Sequence, residues 1–424
     1  MEDATIALHG GRDKQSTTRA CALPIYQTSA YNFDNSKYAA DLFEFKQEGN
    51  IYTRINNPTT DVLEKRVAML EHGVGALAVS SGMSAILTAV LTILSAGDEI
   101  VSSSALYGGT HTLFSHTLKN LGITTKFIDT DNIEDYKNAI TPKTKLIYCE
   151  SIPNPKLNII DIEELAKLAH ENNIPLMIDN TVPSPYLFKP IDFGADIVVH
   201  SATKFLGGHG TSLAGIIVDS GNFDWEKSGK FKALVEPDVS YHGISYTEMF
   251  GKSAFIAKAR AQILRDFGCV LSPFNAFMIC QGIETLTLRM EKHSENALAV
   301  AKYLKNSEYV SWVNYPGLED NKNHELAKKY FKKGFGAMIG FGIKGGVEAG
   351  VKFIDNVKLL SHLANIGDAK SLVIHPASTT HQQLSHDERI ASGATDDFIR
   401  LSIGLEDIND IIADIEQALK IACK

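Results

Sequence analysis

DIVVHSATKFLGGHG, residues 196–210 of the chain, joins a short apolar run to a turn rich in hydroxyls and glycines. The β-branched apolar positions are typical of a buried strand, and the glycines are typical of the turn that ends it. Lys204 is therefore expected at a strand end, between Ser201, Thr203 and the glycines. An ammonium group is costly there, unless it loses its proton and attacks a carbonyl group. The stretch predicts a sheet edge that carries a reactive lysine.

A second apolar run, PLMIDN at residues 175–180, ends in the carboxylate of Asp179. Each residue alone has an ordinary explanation, because a strand-end lysine is usually a solvated charge and a strand-end aspartate is often a cap or turn residue. A Schiff-base lysine and an acid that faces a pyridine nitrogen are, however, the pair that pyridoxal 5'-phosphate (PLP) chemistry requires. Together they predict a PLP site in which Lys204 is catalytic and Asp179 binds the cofactor.

Predicted helices alternate with predicted strands between residues 59 and 204. The helices are expected at 59–71, from Gly82 onward, and at 161–171. This alternation is typical of a doubly wound α/β fold with a mainly parallel sheet. The predicted strands are 76–80, 99–101, 125–129, 145–150, 175–180 and the apolar run that starts at Asp196.

The length of 424 residues exceeds what one hydrophobic core usually fills, so two domains are expected. Residues 1–57 lack a sustained period and are predicted to form an N-terminal arm. Residues 58–281 are predicted to form a large α/β domain, with a partly irregular insertion at about 220–266 near the site. Residues 282–424 form a smaller C-terminal α+β domain, with long helices around 283–305 and 347–360.

The composition excludes several classes of partner. The chain has 44% hydrophobic and 21% charged residues, and 50 acids against 41 bases give a net charge of −9. This charge argues against a nucleic-acid surface or a polybasic membrane patch. No signal peptide is visible at the start, and no apolar run approaches the ~18 residues of a membrane span. Five cysteines without a CxxC motif are typical of a reduced protein, so a cytoplasmic location is expected.

A phosphate site is predicted where Ser80-Ser81-Gly82-Met83-Ser84 joins a strand to a helix. Glycine lets the backbone approach an anion, and the helix N-terminus offers free N–H groups to it. Ser81, Gly82 and Met83 are therefore predicted to bind the cofactor. The hydroxyls of Ser201 and Thr203 are expected to serve the same phosphate.

Three further residues are candidates for the same site. Tyr107 follows a strand and opens a helix, where an aromatic ring can stack on a pyridine ring. Asn154 ends another strand and could donate to the ring hydroxyl. Arg400 lies in the middle of the run FIRLSIG, where a guanidinium is costly unless it is paired. A substrate carboxylate would pair it, and a structural ion pair is the alternative.

Two other patterns are rejected as sites. GFGIKG at residues 340–345 matches GxGxxG, but its glycines lie inside an alternating strand rather than in the turn after one. His375, His381 and His386 cluster in a turn-rich segment, but their spacing fits no common zinc motif. No metal site is predicted.

Taken in order, these motifs resemble the Cys/Met-metabolism family of fold type I PLP-dependent enzymes over nearly the whole chain. The similarity is closest to the O-acetylhomoserine sulfhydrylase branch, because of the length, the insertion from residue 221 to 243, and FIAKAR at 255–260. The motifs are YTRINNPT (52–59), SSGM (80–83), LYGGT (106–110), ES with NP (150–151 and 154–155), DNT (179–181), SATK (201–204) and RLSIG (400–404).

The resemblance implies that Tyr52 and Arg54 of the arm reach into the site of a neighbouring subunit, where they contact the cofactor phosphate. A complete site would then need a dimer, and a homotetramer of two such dimers is expected. Within each site, Arg400, Asn154 and Ser371 are assigned to substrate binding.

The implied reaction is γ-replacement: O-acetyl-L-homoserine and a sulfur nucleophile such as sulfide give L-homocysteine and acetate. Lys204 would move the proton at Cα, Tyr107 would assist proton transfer, and Tyr52 would protonate the leaving group. Cystathionine γ-synthase and methionine γ-lyase activities would use the same cofactor residues and stay open as alternatives. A catalytically silent PLP-binding scaffold is the alternative from a different class, although the presence of both Lys204 and Arg400 argues against it.

Overall fold

The computed structural model describes residues 1–12, 19–379, 393 and 395–424 of the chain. Its strands form one seven-stranded sheet and one five-stranded sheet. The larger sheet comes from the region that is predicted to be α/β, and the smaller sheet from the C-terminal region. The predicted fold class is therefore confirmed.

The strands of the larger sheet are β1 (Gly75–Val79), β2 (Glu99–Ser103), β3 (Thr124–Ile128), β4 (Thr144–Glu150), β5 (Leu176–Asp179), β6 (Ile197–Ser201) and β7 (Gly215–Asp219). They lie in the order β1-β7-β6-β5-β4-β2-β3, and β7 runs antiparallel to both its neighbours, whereas the other pairs are parallel. The sequence pattern predicts six of these strands and misses β7. All five residues of β7 are buried, so it has no alternation of apolar and polar residues to mark it as a strand.

The N-terminal residues contain two helices, α1 (Asp3–His9) and α2 (Ser36–Phe43). Ile6 of α1 is buried in the core of the larger sheet. The carboxylate of Asp3 forms an ion pair with Lys189 at 2.9 Å. The first residues of the predicted arm are therefore packed against the rest of their own chain, which the lack of a sustained apolar period does not indicate.

Helices cover both faces of the larger sheet, and the predicted starts of three of them are confirmed within one residue. Their caps explain the starts, because the side chains of Asn57, Ser81 and Asp161 each accept a hydrogen bond from a backbone N–H of the first turn. The helices are α3 (Pro58–Glu71), α4 (Gly82–Ile93), α5 (Gly108–Thr112), α6 (Leu118–Asn120), α7 (Ile133–Ala139), α8 (Ile162–Glu171) and α9 (Ser184–Leu187), with a π-helical turn at Leu113–Thr117.

The predicted insertion consists of short helices separated by irregular stretches such as 236–245, in agreement with a partly irregular segment. The ring of Trp225 stacks on that of Phe255 with centroids 5.7 Å apart, so the segment has an aromatic core of its own. Its helices are α10 (Trp225–Ser228), α11 (Lys232–Val235), α12 (Tyr246–Phe250), α13 (Ala254–Lys258) and α14 (Arg265–Phe267), with a π-helical segment at Ala259–Leu264.

The C-terminal region begins after helix α15 (Pro273–Glu284), which runs through the predicted boundary at residue 281. The division into domains stays a prediction. The long helices expected after it are present, with ends that differ by up to four residues. The helices are α16 (Leu286–Lys305), α17 (His324–Tyr330), α18 (Gly346–Asn356) and α19 (Ile408–Ala422), and 3₁₀ turns lie at Pro190–Phe193, Gly251–Ser253 and Pro376–Ser378.

The strands of the smaller sheet are β8 (Val310–Asn314), β9 (Met338–Ile343), β10 (Ser361–His362), β11 (Leu372–Ile374) and β12 (Phe398–Ser402). They lie in the order β10-β11-β12-β9-β8. The first two glycines of the GxGxxG match, Gly340 and Gly342, lie inside β9 as expected, whereas residues 344 and 345 form the turn that leads to α18. Arg400 occupies the middle of β12, opposite Gly340 of β9, as predicted. Among the described residues, no helix is long and apolar enough to cross a membrane.

Candidate active site

A pocket lies at the carboxyl ends of β4, β5 and β6, beside the amino end of α4. Ligands of doubly wound sheets bind at this edge. Residues 364–366 and Arg400, all from the C-terminal region, also line the pocket. Most of the residues predicted from the sequence lie together here, namely Ser81, Gly82, Met83, Tyr107, Asn154, Asp179, Ser201, Thr203, Lys204 and Arg400.

Lys204 lies in the turn that follows β6. Its N–H donates to the Ser201 carbonyl at 3.1 Å, and its own carbonyl accepts from the Gly208 N–H at 2.7 Å. Its Nζ donates to the side-chain oxygen of Asn365. Burial and the nearby positive charge of Arg400 lower the pKa of Lys204. Both effects favour the neutral amine, which is the form that attacks a carbonyl group.

The predicted phosphate site lies at the amino end of α4. The hydroxyl of Ser81 caps this helix by accepting from the Ser84 N–H at 3.1 Å. A Cβ atom on Gly82 would lie 2.7 Å from Cβ of Ser201, so glycine is needed for the loop to approach the end of β6. Ser201 and Thr203 line the same side of the pocket. Helix N–H groups and hydroxyls thus converge as an anion requires.

Asp179 is the last residue of β5, and its side chain is held in place by the turn that follows. Its Oδ1 accepts from the Thr181 N–H at 2.9 Å, and the Thr181 hydroxyl accepts from the Ser201 N–H at 2.8 Å. Burial raises the pKa of Asp179, although the hydrogen bonds from Thr181 and the proximity of His200 oppose the rise. A cationic ring nitrogen beside this carboxyl would favour its ionised form.

Glu150 is a site residue that the sequence reasoning missed. It ends β4 and is paired with Asp179 of β5 in the parallel register. Its Oε1 accepts from the Tyr107 N–H at 2.6 Å. Burial, and then the charge of Asp179, raise the pKa of Glu150 well above its ordinary value. The sequence does contain a signal for Glu150, because this acid ends a predicted strand just as Asp179 ends the next one.

Arg400 is held by two neutral oxygen acceptors. Its Nη1 donates to Oδ1 of Asn154 at 3.1 Å and its Nη2 donates to the Asn365 carbonyl at 3.1 Å. Burial lowers the pKa of Arg400 to about 10. No Asp or Glu within the described ranges forms an ion pair with it, so the alternative of a structural ion pair has no partner there. A carboxylate ligand would supply the missing counter-charge.

Tyr107 is 53% exposed although it lines the pocket, so much of this residue is accessible to a ligand. Leu213, another lining residue that the sequence reasoning missed, is 62% exposed. One side of the pocket in this single chain is therefore open. No residue of the insertion is among those that line the pocket of this chain, and its proximity to the site stays a prediction.

Tyr52 and Arg54 do not line the pocket of their own chain. Tyr52 is 40% exposed, and the centroid of its ring lies 5.4 Å from the guanidinium carbon of Arg54. Arg54 Nη1 also donates to the carbonyl of Arg265 at the end of the insertion.

Ser371, which is assigned to the substrate from the sequence, is buried outside the pocket. Its hydroxyl donates to Oε2 of Glu406 at 2.8 Å and accepts from the Gly404 N–H at 2.8 Å. The hydroxyl thus already donates one hydrogen bond and accepts another within its own chain, and the assignment of Ser371 to the substrate stays a prediction.

His375 is buried, and its ring nitrogens contact the Ser378 hydroxyl at 2.8 Å and the Asp396 carbonyl at 3.0 Å. His381 and His386, which belong to the same rejected cluster, lie outside the described residues. Within the part of the chain that the structure describes, no three His, Cys, Asp or Glu residues are placed to hold a metal ion.

The doubly wound sheet, the buried lysine after β6, the acid at the end of β5 and the anion site at α4 define a PLP-dependent enzyme. The family model described as Cys/Met metabolism PLP-dependent enzyme matches residues 4–420. The chain belongs to this family.

Relatives of known name are similar over the whole length. The chain is 57% identical to an O-acetyl-L-homoserine sulfhydrylase of Leptospira meyeri, over 98% of this chain and 96% of that protein. It is 52% identical to a homocysteine synthase of Schizosaccharomyces pombe, over 99% and 98% of the two chains. A crystal structure assigned as an O-acetylhomoserine (thiol)-lyase from Campylobacter jejuni has a TM-score of 0.96 and 42% identity, over 99% and 100% of the chains. That protein carries N'-pyridoxyl-lysine-5'-monophosphate at its position 205.

The residues of the pocket fit PLP. Lys204 would bind its aldehyde and Asp179 would face its ring nitrogen, because both side chains line the pocket. The glycine-dependent approach of the α4 loop to Ser201 leaves hydroxyls and helix N–H groups for its phosphate. The exposed side chain of Tyr107 would be available to stack on the PLP ring.

We predict that Lys204 carries the cofactor covalently, because it is the lysine of the described pocket and its neutral form is favoured. Borohydride reduction of the holoenzyme followed by peptide mapping should find the pyridoxyl group on Lys204. Lys258 is the matched control, because it is also buried but does not line the pocket. A label on Lys258 or on another lysine would contradict the site assignment.

Proposed function

We propose that this enzyme is a transferase that catalyses γ-replacement in methionine biosynthesis. It would convert O-acetyl-L-homoserine and sulfide to L-homocysteine and acetate. Membership of the family and the names of the relatives at 57% and 52% identity support the reaction. The observation that carries the proposal is the pairing of Lys204 with an Arg400 that has no acidic partner among the described residues.

Arg400 is proposed to bind the α-carboxylate of the amino acid. Its guanidinium is held in one orientation by Asn154 and by the Asn365 carbonyl, and two planar N–H donors match a carboxylate. Asn365 also contacts Nζ of Lys204. A substrate held by Arg400 therefore lies within reach of the lysine, which is the geometry that proton transfer at Cα needs.

Bound PLP would act as an electron sink, which makes the Cα and Cβ protons of the substrate acidic. Lys204 would take the Cα proton and return it at the end of the reaction. Asp179 would keep a proton on the ring nitrogen by its negative charge. Tyr107 would stack on the ring, and Tyr52 would donate a proton to the departing acetate.

A homo-oligomer is proposed to complete the site, with Tyr52 and Arg54 supplied by a neighbouring subunit. The exposed rim at Tyr107 and Leu213 supports this arrangement, because large apolar side chains beside a reactive site are normally covered. A homotetramer built from two such dimers and a cytoplasmic location complete the proposal.

The reaction is tested by assaying the pure protein with O-acetyl- and O-succinyl-L-homoserine against sulfide, cysteine and no nucleophile. We expect homocysteine from sulfide, with the acetyl ester preferred by roughly tenfold or more. The cations that line the described pocket are Lys204 and Arg400, both already assigned, so an extra succinyl carboxylate would stay unpaired. Cystathionine from cysteine, or a 2-oxo acid without any nucleophile, as the main product would favour the alternative activities instead.

Arg400→Ala should keep PLP and lose on the order of 10²- to 10³-fold in kcat/KM for O-acetyl-L-homoserine. Truncation of one side of a buried charged pair costs about 3–5 kcal/mol. Most of this free energy would be lost from the binding of the substrate, and it would therefore lower kcat/KM. Arg400→Lys is the matched variant, because it keeps the charge but loses the planar fork and should be intermediate. Near-normal kcat/KM in a folded Arg400→Ala enzyme would mean that another group binds the carboxylate.

The exchange of Arg54 between subunits is tested with hybrids of Arg54→Ala and Lys204→Ala chains. Each variant alone should be nearly inactive, whereas the mixture should regain part of the activity. One pocket of the hybrid would combine an intact Lys204 with an intact Arg54 from its neighbour.

Hybrids of Arg400→Ala and Lys204→Ala chains are the control, and they should regain nothing. Arg400 and Lys204 line the same pocket of one chain, so every hybrid pocket would lack one of them. If the Arg54 mixture also stays inactive although hybrids are demonstrated, Arg54 acts within its own chain.

A further inference from the structure

Glu150 is a buried carboxyl that lies among the residues proposed to contact the cofactor ring. It is 7% exposed and lines the pocket. Its Oε1 accepts from the Tyr107 N–H at 2.6 Å, and the backbone N–H of Asn154 also interacts with the carboxyl. One side chain therefore fixes the backbone of the residue proposed for the ring face and of the residue proposed for the ring hydroxyl.

The neighbour of Glu150 on the next strand is Asp179. Two buried carboxyls at paired strand ends cannot both ionise at low cost. Both carboxyls accept from backbone N–H groups, but Asp179 would also face a cationic ring nitrogen, which favours its ionised form. The cations that line the described pocket are Lys204 and Arg400, and neither forms an ion pair with Glu150. Of the two acids, Glu150 is therefore the one that is protonated at the lower cost.

We propose that Glu150 is a positioning residue that holds Tyr107 and Asn154 against the cofactor ring in its neutral, protonated form. Asp179 is then the single negative charge at the ring nitrogen. The inference rests on the proposed placement of PLP against Asp179. It assigns Glu150 a role in orientation, not in transfer of the reacting protons.

The neutral state of Glu150 matters because the ring-nitrogen proton and the substrate carboxylate would both lie in the same pocket. An ionised Glu150 would compete with Asp179 for the ring-nitrogen proton and would repel the substrate carboxylate that Arg400 binds. A neutral carboxyl still offers an oxygen acceptor to backbone N–H groups. Glu150 thus stabilises the two loops without adding a second negative charge to the pocket.

Two substitutions distinguish the role of Glu150 as a hydrogen-bond acceptor from the effect of its charge. Glu150→Gln keeps a neutral side chain with an acceptor oxygen, so on equilibrium dialysis the holoenzyme should retain PLP within about threefold of wild type. Glu150→Ala removes the acceptor and should weaken retention by about tenfold, since each lost hydrogen bond changes an equilibrium a few-fold. The visible circular dichroism of bound PLP should fall in Glu150→Ala and stay unchanged in Glu150→Gln.

Glu99→Gln is the matched control. Glu99 is a buried carboxyl of β2 that accepts from the hydroxyls of Thr141 and Thr144 and lies outside the pocket. Its substitution should leave both PLP retention and the dichroism at the wild-type values. A change in Glu99→Gln equal to that in Glu150→Ala would show that general stability, and not the position of Glu150, controls the readouts.

A pH titration of the visible absorbance tests the charge state. Because the proposal makes Glu150 neutral, Glu150→Gln should titrate at the wild-type pH. A fall of about one unit or more would mean that an ionised Glu150 stabilises the protonated cofactor, and the proposal would be wrong. Wild-type retention in Glu150→Ala would overturn the positioning role. Failure of the wild-type enzyme to retain PLP would instead contradict the proposed function. If Glu150→Ala does not fold, the measurements on Glu150→Gln alone test the proposal for Glu150.

Discussion

The burial of Lys204 at the end of β6 is the constraint on which the site depends. An amino group can be kept there only if the turn that carries it is rigid and its neighbours are arranged to accept it. Arg289 provides much of this rigidity, because its guanidinium donates to the carbonyls of Phe205, Leu206 and Gly282. A Cβ atom on Gly282 would lie 2.1 Å from the Gly207 carbonyl oxygen, so α15 packs directly on the turn. The lysine is thus fixed by contacts that lie outside the pocket.

Acidic and basic side chains reach the pocket from different sheets. The larger sheet contributes the acids Glu150 and Asp179, and the smaller sheet contributes Arg400. Asn365 connects the two sides, because its side chain contacts Lys204 and its carbonyl accepts from Arg400. A shift of residues 364–366 relative to β6 would therefore alter the position of the lysine and of the guanidinium together.

The sequence predicts the strands that end in functional side chains and the helices that have a capping residue. It misses β7, whose continuous burial leaves no alternating pattern, and it misses the packing of α1, which depends on contacts with distant residues such as Lys189. In the site, motifs identify residues whose chemistry is unusual for their position. Asn365 carries no such signal, since an asparagine in a loop is ordinary until the fold brings Lys204 and Arg400 to it.

The N-terminal arm and the insertion are linked by hydrogen bonds from Arg54 and Arg260. Arg260 lies in the π-helical segment, and its Nη1 donates to the Ile55 carbonyl at 2.8 Å while its Nη2 contacts the Glu64 carboxylate at 2.5 Å. Arg54 donates to the Arg265 carbonyl a few residues further along the insertion. The segment that carries Arg54 is therefore held by hydrogen bonds within its own chain. Because ordering a loop on association costs free energy, this arrangement would lower the cost of presenting Arg54 to a second subunit.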